Sequence, residues 1–217
     1  MTTSESYPLI LTQQVEKKNM GMEIDPKFFR ELAEKNPVDV CRSALCTYDA
    51  KKRFYTVAVW GDDYLISPCE HSIKRATDNL PAPGEIFYFF ILHYLLHSKE
   101  SEVNNEWISE KQIPGGDLFF SVSHEIPTSL ISDRYNNDID GFKRRCEQMQ
   151  GRPLELADAS YCFNITPRIP VAVLFWDGDE DFPPESKLLF DKSIAGILAP
   201  DIVLALAYEV CSRIGNG

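Results

Sequence analysis

The sequence predicts an α+β fold in which a small antiparallel sheet, built from hairpins at about residues 53–67 and 161–176, packs against several helices. Three observations lead there. Strand-like segments come in pairs joined by turn residues, helical segments lie between those pairs rather than alternating with single strands, and one apolar run has the length of a core helix.

The elements follow in order. Residues 26–36 have an acidic cap at Asp25, proline at the first helical position, and Phe28, Phe29, Leu32 and Ala33 spaced for one face, which predicts a short amphipathic helix. Residues 53–60 are rich in aromatic and β-branched side chains, Gly61-Asp62-Asp63 supplies a turn, and Tyr64-Leu65-Ile66-Ser67 returns as the second strand of a hairpin. A polar linker ends at 81–84, and the helix expected over 85–98 is the most apolar in the chain. Residues 106–113 read as a short extended piece, Pro114-Gly115-Gly116 forces a turn, and a helix starts at Asp117 that Pro127 should end or kink. Residues 138–150 predict an amphipathic helix with Phe142, Cys146 and Met149 inward and Lys143, Arg144 and Arg145 mostly outward. Residues 161–166 and 171–176 form the second hairpin around Pro167-Arg168-Ile169-Pro170, and 186–214 read as two helices split at Pro200. The whole, 1–217, is expected to be a single globular domain.

Composition excludes several functions. The chain of 217 residues carries a net charge of −11, which repels phosphate backbones, and no cluster of Lys and Arg interrupts it strongly enough to mark a footprint, so neither nucleic acid nor an anionic membrane is an expected partner. The longest uncharged apolar run, 86–97, has 12 residues, whereas a membrane-spanning helix needs roughly 20. The N-terminus has neither a secretory nor a transit-peptide pattern, and the six cysteines are scattered without a C-x-x-C pair, which suits reduced thiols in the cytoplasm. Dinucleotide, P-loop, nucleophile-elbow and kinase motifs are all missing from the sequence.

The candidate ligand-binding residues are His93, His97, Arg168, Trp176, Asp177, Asp179 and Glu180. His93 and His97 stand four apart, so a helix puts both imidazoles on one face, a spacing that can chelate a metal; Tyr94 occupies the place where a zincin would need its Glu. His93 can equally be a core histidine or an axial ligand to a tetrapyrrole, with Phe87, Phe90 and Tyr94 as flat walls. Arg168 sits between two apolar strands and needs a partner: either a ligand carboxylate or phosphate, or Asp177 or Asp191. Trp176 begins an acidic turn with four acids in five residues, Asp177 to Asp181, whose spacing does not match a calcium loop. No metal is expected from these residues, and no catalytic set is assigned.

The stretches Ile91-Leu92-His93-Tyr94-Leu95-Leu96, Trp107-Ile108-Ser109 with Pro114-Gly115-Gly116, Pro167-Arg168-Ile169-Pro170, and Phe175-Trp176-Asp177-Gly178-Asp179-Glu180-Asp181-Phe182-Pro183 with Leu189-Phe190-Asp191 carry a resemblance. From about residue 84 onward the chain resembles an uncharacterised family of anaerobic bacteria and archaea, a domain of unknown function; the first 40 residues carry no such match. The resemblance implies a soluble cytoplasmic protein of anaerobes. Some relatives carry a four-cysteine iron–sulfur module ahead of the domain and are associated with corrinoid or one-carbon metabolism, a module whose motif this N-terminus lacks.

Together these features favour a ligand-binding or accessory protein, not an enzyme. Its pocket, between the His93 helix and the second hairpin, would hold a tetrapyrrole or another anionic small molecule. The rival is a small-molecule enzyme with Asp179 or Glu180 as general base, and a third alternative is an interaction module that docks a basic protein partner through the acidic turn and Phe182-Pro183-Pro184.

Overall fold

The structure is a computed structural model describing residues 24–77, 85–100, 102–122 and 124–216; the expected linker at 81–84 and most of the weakly matched N-terminal segment lie outside the described residues. Asp25 accepts a hydrogen bond from the Lys27 backbone N–H at 2.8 Å and Pro26 opens α1 (Pro26–Glu34), as the sequence leads one to expect. Phe28, Phe29 and Leu32 are its buried face, while Ala33 is exposed. Asn36 and Pro37 repeat the same start for α2 (Pro37–Ala44), which ends on Leu45 in the left-handed region.

The first sheet runs β1 (Thr47–Asp49), β2 (Phe54–Val59), β3 (Asp62–Ser67) and β4 (Ser72–Arg75), all antiparallel and in chain order. The β2–β3 turn is Trp60-Gly61, with φ of +52° and +81°; two consecutive positive φ values make the type I′ turn whose twist suits a two-residue hairpin. Along these strands Tyr55, Val57, Val59, Tyr64 and Ile66 point inward, as alternation requires.

Next comes α3 (Glu85–His97), buried on all sides from Phe89 to Leu96 because it is apolar on all sides. The chain continues through β5 (Trp107–Ile108), a 3₁₀ turn (Glu110–Gln112), α4 (Gly116–Val122), α5 (Ser129–Tyr135) and α6 (Ile139–Gln148). Then follow β6 (Arg152–Leu154), β7 (Ala159–Thr166), β8 (Ile169–Trp176), β9 (Glu185–Asp191), a second 3₁₀ turn (Lys192–Gly196) and α7 (Pro200–Gly215). The second sheet has the order β5-β9-β8-β7-β6, again antiparallel throughout. Its central strand β8 is buried at every position before Trp176.

The α+β class is thus what the molecule shows, with seven α-helices among the described residues. Both expected hairpins form, yet they belong to different sheets, which meet where the Trp60 backbone N–H donates to the Ile165 carbonyl at 2.7 Å and the Trp60 ring packs on Phe163 at 5.4 Å. Only the second half of 186–214 is an α-helix. Residues Glu185–Asp191 are a strand because Ser186, Leu188 and Phe190 alternate inward against β8. The helix at 116–122 ends ahead of Pro127.

α7 is the hub. Twelve of its sixteen residues are buried, and it packs against α3, α4 and α5. Gly215 allows the close approach to α5: a Cβ there would sit 2.2 Å from the Leu130 carbonyl oxygen. No helix among the described residues is long and apolar enough to cross a membrane.

Candidate functional site

His93 is 5% exposed and lies between the rings of Phe28 and Phe89, at centroid distances of 4.9 and 4.4 Å. Its Nε2 is buried without a hydrogen bond. Burial pushes its pKa down to about 3, with His97 and Lys27 adding to the effect, so the ring is neutral at pH 7. His97, at the open end of α3, is held below its usual value by partial desolvation, opposed by Glu31. The expected flat walls do not face His93. Phe87 stacks on Phe90 and Phe90 on Tyr94 along a different side of α3, while positions 89, 93 and 97 face α1.

Arg168 turns out to be a helix cap. Its Nε donates to the Ser43 carbonyl and its Nη2 to the Arg42 carbonyl at 3.2 Å, while the Tyr94 hydroxyl donates to Ala44 at 2.8 Å. A cation and a phenol therefore receive the negative end of α2, whose last carbonyls have no intrahelical donors. α7 ends the same way: Arg145, expected to face outward, donates through Nη2 to the Arg213 carbonyl, and the Tyr135 hydroxyl donates to Ile214 at 2.7 Å. The carboxylates expected to pair with Arg168 have other work. Asp191 accepts from three backbone N–H groups, and Asp177 is exposed at the far end of β8.

That strand also separates the expected site. Eight strand residues, Ile169–Trp176, lie between Arg168 and Asp177, which at about 3.3 Å per step puts the two roughly 30 Å apart. Trp176 is half-buried, while Asp177, Asp179, Glu180 and Asp181 are exposed. Asp179 shapes its own turn: Oδ1 accepts from the N–H groups of Asp181 and Phe182, both at 2.8 Å. The pocket expected to unite His93, Arg168 and Trp176 is therefore not formed by these residues; they occupy three separate places.

Sequence reasoning missed a different constellation, where β2–β3, β4, α3 and α7 meet. Arg213 Nε donates to Glu209 Oε1 at 2.7 Å, one helical turn back on α7, with their side chains 18% and 10% exposed. The guanidinium lies 5.2 Å from the Trp60 ring and 5.3 Å from the Phe87 ring, a cation between two aromatic faces. Arg75 and Asp62 pair at 3.7 Å across the same sheet face, and Tyr64, the cross-strand partner of Arg75, is fully buried beside them. Here Trp60 Nε1, Tyr64 Oη and Asp62 Oδ2 are buried with no hydrogen bond.

Each unpaired buried polar group costs about 1–3 kcal/mol, so three in one place are expensive for a fold to keep. Burial raises the Tyr64 pKa despite the opposing pull of Arg213 and Arg75. Burial works against the charge on Arg213, but Glu209 and Tyr64 outweigh it and hold the arginine above its usual value. Tyr64 is thus held as an uncharged donor and Arg213 as a cation, so the cluster is built to donate hydrogen bonds rather than to exchange protons at pH 7. Its unspent capacity is two donors, with room for a further donor at Asp62 Oδ2, which has only the 3.7 Å ion pair to Arg75. The signal available in the sequence was Glu209 and Arg213, four apart on an otherwise apolar helix, with Asp62, Tyr64 and Arg75 at inward strand positions.

No curated protein and no solved structure matches this chain. The match to a known family starts well before residue 84 and takes in α2 and the first sheet: residues 36–213 match the domain of unknown function DUF3786, and the chain belongs to that family.

Proposed function

We propose that this protein is a small-molecule binding or accessory protein whose site is the Trp60–Asp62–Tyr64–Arg75–Arg213–Glu209 cluster. One observation carries the reading: two buried donors, Trp60 Nε1 and Tyr64 Oη, are unspent beside the Arg213 guanidinium. The ligand that fits is a small anion whose oxygens accept from the indole, the phenol and the guanidinium, and which also carries a hydroxyl or amine to donate to Asp62 Oδ2. A hydroxy- or amino-substituted carboxylate or phosphate has that chemistry. The resemblance to proteins of anaerobes supports a cytoplasmic accessory role in anaerobic metabolism.

A tetrapyrrole is less well supported, because Phe28 and Phe89 occupy the space beside His93. The enzyme alternative loses its bases, since Asp179 and Glu180 are exposed and Asp179 Oδ1 is engaged in its turn. The docking alternative keeps one observation, Phe182 being 71% exposed among exposed acids.

The test is calorimetry and ¹⁵N NMR of the whole protein with malate, citrate, serine, inorganic phosphate, haem and cobalamin. Saturable binding that moves the Trp60 indole N–H resonance and is lost in Arg213→Met supports the site. The reading fails if no anion moves that resonance, or if binding survives Arg213→Met and Trp60→Phe unchanged.

A further inference from the structure

His93 and His97 leave a second unspent capacity, on the face of α3 that is turned to α1. The two rings project from one helix face with their centroids 5.2 Å apart and their planes tilted by 40°. A tetrahedral metal ion bonded to one nitrogen of each ring at about 2.0–2.1 Å places the two ring centres roughly 5 Å apart, so the observed spacing needs no rearrangement of the helix. His93 Nε2 is unpartnered in a side chain 95% buried, and that nitrogen is the donor an ion would require.

We propose that His93 and His97 form a two-imidazole chelate for a borderline divalent transition-metal ion such as Zn²⁺, Co²⁺ or Ni²⁺, at the C-terminal end of α3 on the face turned to α1. His97 is exposed and forms the entry, while His93 is the buried ligand behind it. No group of three or more His, Cys, Asp or Glu among the described residues is arranged around an ion. The site is therefore an open one in which solvent supplies the remaining ligands, as in sites that keep exchangeable positions. The charges around it set its selectivity. Glu31 acts favourably on His97, but Lys27 acts on His93, and Lys35 and Lys99 act on His97. Hard oxygen-seeking cations such as Mg²⁺ and Ca²⁺ gain nothing from two imidazoles and lose from the lysines, whereas ions that favour nitrogen gain two bonds.

The inference stands apart from the anion site, since no residue is shared. The experiment uses chelator-treated full-length protein titrated with Co²⁺, read by its visible absorption, and with Zn²⁺, read by calorimetry. The expected result is one equivalent bound at micromolar concentration, weakened about tenfold or more in His97→Gln and unaltered in His71→Gln. His97 lies at the surface, so its variant folds even if His93→Gln does not, and circular dichroism verifies this. Absence of Co²⁺ binding up to millimolar concentration, or binding that survives His97→Gln, overturns the proposal.

Discussion

Two buried polar regions of this molecule use their hydrogen-bonding capacity in opposite ways. Asp191 is 1% exposed and spends both carboxylate oxygens: Oδ1 accepts from Asn104 at 3.0 Å and Ser193 at 2.9 Å, and Oδ2 from Asn105 at 2.7 Å. At the Trp60–Tyr64–Arg213 cluster the charges are paired, but the indole N–H and the phenol O–H are left without acceptors. The first region ties the chain entering β5 to the end of β9, beside the Lys192–Glu106 ion pair at 3.0 Å, and asks for nothing more. A saturated buried acid is architecture; unsaturated buried donors beside guanidinium groups are capacity for a ligand.

The largest effect should come from the saturated region. Asp191→Ala strands three backbone N–H groups in a buried place and is expected to cost about 3 kcal/mol or more in urea unfolding. The pH dependence sharpens this. Burial raises the Asp191 pKa, but the hydrogen bonds from Ser193, Asn104 and Asn105 outweigh it, and the folded value falls below the ordinary 3.8. A depressed carboxylate pKa gives stability that is complete above the unfolded value and drains away as pH falls through the folded one. The wild-type protein should therefore lose stability below about pH 4 more steeply than Asp191→Ala, and equal acid slopes would remove Asp191 from this role.

The same contrast explains what was legible in the sequence. The β2–β3 hairpin was readable because Gly61 follows an alternating run, and α3 because twelve residues in a row are uncharged. Which hairpins share a sheet was not readable, since the two ladders meet through a backbone bond from Trp60 to Ile165 and the packing of Trp60 on Phe163, which no local pattern announces. The apolar residues of 188–198 blur the period of two in β9 so that the sequence reads as helix, and pairing with β8 decides the matter. In the sequence, candidate sites stand out only where acids or histidines are neighbours. Such neighbours turned out to shape a turn at Asp179 and to line one helix face at His93 and His97, whereas Asp62, Arg75 and Arg213 are brought together only by the fold.

Arg168 tests whether a charged residue between apolar strands is architecture. Arg168→Met removes the cation from the α2 C-terminus while Tyr94 still holds Ala44, so a loss of about 1–2 kcal/mol is expected in thermal or urea unfolding. Anion binding at the Arg213 cluster should not change. A variant of wild-type stability that loses ligand binding instead would return Arg168 to the site.

The smallest expected effect on stability is the most informative. Tyr64→Phe deletes a hydroxyl that is fully buried beside Arg213 and donates to no acceptor, so the ligand-free protein should be about as stable as wild type. Elsewhere in the molecule the same deletion must hurt. Tyr135→Phe breaks the bond to the Ile214 carbonyl and leaves that buried oxygen one donor short, costing about 1 kcal/mol. Both substitutions remove one oxygen from a buried tyrosine ring, so packing and hydrophobic gain nearly cancel between them. What survives is the difference between a spent hydroxyl and an unspent one. If the two variants are destabilised equally in urea, Tyr64 has a partner in solution and the cluster has no capacity to offer a ligand. If Tyr64→Phe is neutral in stability yet weakens anion binding, the hydroxyl is kept for the ligand rather than for the fold.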